Sequence, residues 1–70
     1  MFIGRRLKSI RKERNLTLRA LAKISGISSF SYIRNIEEGI VEDPGIKTII
    51  KLSRALEISI DELVKEETNE

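Results

Sequence analysis

The side chains best placed to do chemistry in this chain are hydrogen-bonding groups rather than nucleophiles. Ser31, Arg34 and Asn35 fall on the outward face of one short predicted helix and offer a hydroxyl, a forked guanidinium and a carboxamide. Such groups recognise patterns of donors and acceptors, as on the base edges of a nucleic acid. Thr17, Arg19 and Lys47 lie near the starts of two further predicted helices, where exposed N–H groups and the helix dipole favour anions. The 70 residues include no histidine and no cysteine. The remaining carboxylates lie on a helical chain too small to enclose a substrate. The sequence therefore points away from an enzyme, and neither a cofactor nor a metal site is expected.

The recognition residues need a helix pair to hold them, and the stretch Thr17 to Gly39 supplies one. Thr17 suits an N-cap, and Leu18, Leu21 and Ala22 then recur at helical spacing. Gly26 permits the positive φ that ends this helix, and Ile27 anchors the turn. Either Ser28 or Ser29 can cap a second helix, whose Ile33 and Ile36 point inward while Ser31, Arg34 and Asn35 point outward. This is the grammar of a helix-turn-helix.

Supporting helices flank the pair. Ile3, Leu7 and Ile10 predict a first helix over residues 3–14, ended by Asn15, with Arg5, Arg6, Lys8 and Lys12 on an outer face that can lie near a phosphate backbone. Gly39 to Gly45 reads as a loop, because Asp43-Pro44-Gly45 is strong turn chemistry. A fourth helix over residues 46–56 places Ile46, Ile49, Ile50, Ser53 and Leu56 along one face, widened by Leu52 and Ala55. Ser59 with Glu62 makes a capping box for a short fifth helix carrying Leu63 and Val64. The prediction is all-helical: one domain over residues 1–66 and a polar tail over 67–70.

A domain this small has a core near the lower limit for independent folding, and it has no disulfide or Cys/His zinc site to help. Packing must suffice, aided by a second copy of the chain; Ile58, Ile60, Leu63 and Val64 are the dimer candidates. Charge divides sharply along the chain. Residues 1–35 carry nine Lys or Arg against Glu13 alone, a net +8, whereas residues 36–70 carry four against ten acidic groups, a net −6. The first half therefore suits a polyanion. No apolar stretch is long enough for a signal peptide or a membrane span, and the expected location is cytoplasmic.

The ordered set of motifs resembles the Cro/C1-type (XRE) helix-turn-helix family over nearly the whole chain. It comprises Ile10-Arg11, Leu16-Thr17, Leu21-Ala22, Gly26-Ile27-Ser28, Tyr32-Ile33, Ile36-Glu37-Glu38-Gly39, Asp43-Pro44, Leu52 to Leu56 and Ser59 to Leu63. The resemblance implies a compact five-helix, lambda-repressor-like domain whose recognition helix, about residues 29–38, enters the DNA major groove, commonly as a dimer on a two-fold symmetric operator. It also implies a partly buried ion pair between Arg11 and Glu37.

Two departures from the family pattern bear on DNA reading. Leu18 stands where a glutamine usually follows the cap, leaving Arg19 as the nearest polar substitute. Eleven positions separate Gly26 from Glu37, one more than usual. Counting back from Glu37 puts the extra residue in the turn and makes Ser29, Phe30 and Ser31 the base-reading N-terminus, followed by Arg34 and Asn35; counting forward from Gly26 gives Ser28, Ser29 and Phe30. The backward count keeps Ile33 and Ile36 inward, since an insertion inside the helix would rotate them by about 100°. Phe30 then either packs on a thymine methyl or swings inward as a core or interface residue.

The sequence thus suggests a homodimeric regulator of transcription, a repressor or antitoxin-like autoregulator, with double-stranded DNA as partner. The competing reading is a protein-interaction module that kept the fold and lost DNA binding, recognising a protein partner through its apolar C-terminal residues or through Phe30 and Tyr32.

Overall fold

A computed structural model describes residues 3–65 of the chain. The expected tail over 67–70 lies outside the described residues. Five helices follow one another: α1 (Gly4–Glu13), α2 (Leu18–Ser25), α3 (Phe30–Glu37), α4 (Ile46–Leu56) and α5 (Ile60–Val64). Among the described residues no strand forms, and no helix is long and apolar enough to cross a membrane.

The core draws on every helix. Ile3, Leu7, Leu21, Ile33, Ile36, Leu52, Leu56 and Leu63 are its largest fully buried side chains. Burying such a side chain contributes about 1.5–3 kcal/mol, so a domain of this size needs all of its helices docked to offset the chain entropy. α2 packs on both α3 and α4, α1 on α3 and α5, and α4 on α5.

Four of the five helices end in the same way, on a left-handed residue followed by an apolar one. The left-handed residues are Asn15 (φ 57°), Gly26 (φ 77°), Gly39 (φ 84°) and Glu57 (φ 59°). Each is followed by Leu16, Ile27, Ile40 or Ile58, whose N–H donates back to the carbonyl of Arg11, Ala22, Asn35 or Ser53 at 2.9–3.1 Å. This six-to-one closure is the Schellman motif, which satisfies carbonyls that a helix end would otherwise leave bare.

Local expectation and observed structure differ in α4 and α5. Ile46 is 60% exposed rather than part of the inward face. It occupies the first position of α4, where the helix overhangs the core, and the buried face is Ile49, Leu52, Ser53 and Leu56. Leu52, placed by the sequence at the flank, is fully buried. In α5 the Ser59 hydroxyl accepts the Glu62 N–H at 3.0 Å, as a capping box requires. The Glu62 carboxylate, however, accepts from Arg6 at 2.7 Å instead of returning to the Ser59 backbone.

Candidate nucleic-acid interface

Thr17 begins the helix pair. Its hydroxyl oxygen accepts the Ala20 N–H at 3.0 Å, which stops the chain from fraying at the start of α2 and leaves the hydroxyl proton free to donate outward. Leu18 is half-buried against the core, which explains an apolar residue at the first position of this helix. Arg19 follows it and is exposed; its guanidinium lies over the ring of Phe30, 4.5 Å from the centroid.

The α2–α3 turn absorbs the extra residue. Helix α3 starts only at Phe30, and Ile33, Ile36 and Glu37 are all buried, so the packing register is the one counted back from Glu37. Ser29 occupies the N-cap position, but its hydroxyl makes no capping hydrogen bond and is exposed. Beyond it, Ser31 and Arg34 are exposed and Asn35 is half-buried. The Asn35 backbone carbonyl receives the N–H groups of Ile40 and Val41 at 2.9 and 3.1 Å, tying the following loop to the end of α3. Phe30 is half-buried and packs on the core, with one face of its ring covered by Arg19.

What fixes α3 is a buried fork. Arg11 donates from Nε to Glu37 Oε2 at 2.7 Å and from Nη2 to Glu37 Oε1 at 3.1 Å. Its remaining Nη1 donates to the Leu16 carbonyl at 2.7 Å. One guanidinium therefore joins α1 both to the end of α3 and to the segment entering α2. The planar fork matches the carboxylate edge, so rotation of α3 about its axis would break two charge-assisted hydrogen bonds at once.

Lys47 is exposed at the start of α4, whose N-cap Gly45 provides no side-chain cap. Arg5, Lys8 and Lys12 remain exposed on α1. Arg6 does not join them as a phosphate-facing group, because Nε donates to the Glu62 carbonyl at 2.8 Å and Nη2 to the Glu62 carboxylate at 2.7 Å. Arg14 is also taken up by the fold, donating from Nε to the Leu56 carbonyl at 2.6 Å. Neither pairing left a trace in local sequence spacing.

The four dimer candidates differ in burial. Leu63 is wholly buried in the core of this one chain and offers no surface to a partner, whereas Ile58, Ile60 and Val64 are half-buried against the same core.

Five helices, the hinged α2–α3 pair and the buried Arg11–Glu37 fork define a helix-turn-helix domain. A helix-turn-helix family model matches residues 7–63, and the chain belongs to the Cro/C1-type helix-turn-helix family. It is 36% identical over 64 residues to the HTH-type transcriptional regulator SinR of Bacillus subtilis, covering 91% of this chain and 57% of that protein. It is 40% identical over 68 residues to an immunity repressor protein of Bacillus phage phi105, covering 97% of this chain and 46% of the repressor. The chain thus spans about half the length of the curated relatives it matches. Among solved structures it is similar to SinR in complex with DNA, with a TM-score of 0.85 and 35% identity over 90% of this chain and 98% of that one.

Proposed function

We propose that the chain is a sequence-specific double-stranded-DNA-binding regulator of transcription that places α3 in the major groove and acts as a homodimer in the cytoplasm, without catalysis. The observation that carries this reading is the two-sided character of α3. Its inner side is fixed by Ile33, Ile36 and the Arg11–Glu37 fork, while Ser31 and Arg34 face solvent with no partner among the described residues. A rigidly held helix with free donors on its outer side is what base-edge reading requires. The likeness to SinR, solved in complex with DNA, supports DNA as the partner.

In this reading Arg34 donates to a guanine edge, Asn35 pairs with adenine, and Ser29 and Ser31 make adaptable contacts at the start of α3. Thr17, Arg19 and Lys47 hold phosphates at the ends of α2 and α4, which positions the domain without reading sequence. Selection from a random duplex library tests the proposal. The expected result is an enriched two-fold symmetric motif with half-site centres roughly 34 Å apart. Arg34→Ala should lose discrimination at one base position, by about 1–3 kcal/mol. A library that enriches no motif at low salt refutes sequence-specific binding.

A further inference from the structure

The contact between Arg19 and Phe30 bridges the first turn of α2 to the first turn of α3. The two partners are unequal. Phe30 packs on the core, whereas Arg19 is exposed and, among the described residues, makes no hydrogen bond or ion pair. A guanidinium over an aromatic ring is held by the π-system without spending its N–H groups on a hydrogen bond, which leaves them for an acceptor. Close by, the Thr17 hydroxyl has its oxygen engaged by Ala20 and its proton still free. Two outward donors therefore share the start of α2, one of them held in place from α3.

We propose that Arg19 and Phe30 act as one unit in DNA binding: Phe30 is a positioning residue that holds the Arg19 guanidinium ready for bidentate hydrogen bonding to a backbone phosphate, and it reads no base itself. The inference rests on the DNA-binding reading above. A free arginine loses considerable rotamer entropy when it engages a phosphate, and stacking removes much of that loss before DNA arrives. The same contact makes the grip depend on the relative placement of α2 and α3, so a displaced recognition helix would also misplace its phosphate anchor.

The test uses the full chain with Arg19→Ala, Phe30→Leu, the double variant and Phe30→Tyr, which keeps the ring face. Affinity for a short mixed-sequence duplex is measured across a salt series, base preference by library selection, and the Arg19 δ-CH2 shifts by NMR without DNA. Arg19→Ala should weaken binding and reduce the slope of log K against log salt by about one. Phe30→Leu should weaken binding about two- to five-fold. That loss should vanish when Arg19 is already alanine, and Phe30→Tyr should bind like the parent. Neither single substitution should alter base preference, and the shielded Arg19 δ-protons should move downfield in Phe30→Leu while thermal melting stays cooperative. Equal losses from Phe30→Leu with and without Arg19, a preference lost at one base position, or unshielded δ-protons in the free parent would each overturn the proposal. Should the library enrich no motif while Arg19→Ala still lowers the salt slope and the Phe30→Leu loss still vanishes without Arg19, sequence-specific regulation fails and the Arg19–Phe30 unit stands.

Discussion

Helix α1 carries two arginines that each meet a glutamate at 2.7 Å, and the two junctions they form are otherwise unlike. Arg11 and Glu37 join α1 to the end of α3 with 10% and 3% of their side chains exposed, whereas Arg6 and Glu62 join α1 to α5 with 28% and 54% exposed. Distance alone ranks them as equals. Burial separates them, because an ion removed from water is strongly destabilising unless its partner stays in place, while an exposed ion keeps most of its hydration either way. The chain places its costly, geometry-defining pair behind the helix whose orientation matters most. It leaves the tolerant pair at the other side of α1.

That contrast can be broken by mutation, and the effects should be graded. Glu37→Ala, which leaves the Arg11 guanidinium buried without its carboxylate, should destabilise the domain by about 3–5 kcal/mol in thermal or urea unfolding. A loss below about 1 kcal/mol would place this junction with the exposed one. Thr17→Ala tests an intermediate case, a single exposed cap, and should cost about 1 kcal/mol in the same melts. Arg6→Ala should cost about 0–1 kcal/mol, and the difference from the parent should shrink toward zero in 1 M salt, where exposed charges are screened. The Glu37→Ala loss should persist in that salt, since a buried pair is screened much less.

Much of this architecture is legible in the sequence, wherever short-range physics decides it. The spacing of Leu21 and Ala22, of Ile33 and Ile36, and the caps Thr17 and Ser59 specify helices and their inner faces without reference to the rest of the chain. Asn15, Gly26 and Gly39 announce helix ends because these residue types tolerate a positive φ. Glu57 does not announce one, although the Ile58 after it matches the apolar residue following the other three. Ile46 falls on the apolar periodicity yet is exposed, because periodicity cannot tell where a helix overhangs its core.

Contacts between distant residues were harder to read. The Arg11–Glu37 pairing was implied by family resemblance, not by spacing, and Arg6 to Glu62 and Arg14 to Leu56 were not visible at all. Those side chains meet only once helices far apart in sequence have docked. For the candidate interface, Arg34 and Ser31 are exposed on α3, whereas Asn35, expected to point outward with them, is half-buried. The stacking of Arg19 on Phe30 depends on the turn carrying the extra residue, whose path no local rule supplies.

The link from Arg14 to the last carbonyl of α4 has a consequence for how the protein is made. The helix pair precedes α4 and α5, yet the core beneath it needs Leu52, Leu56 and Leu63, and α1 is fastened by Leu56 and Glu62. A nascent chain that has released only α1 to α3 from the ribosome has the candidate recognition residues but no platform to hold them. With so small a core there is no stable half-domain to wait in. The candidate interface on α2 and α3 therefore comes into being only after α4 and α5 have emerged.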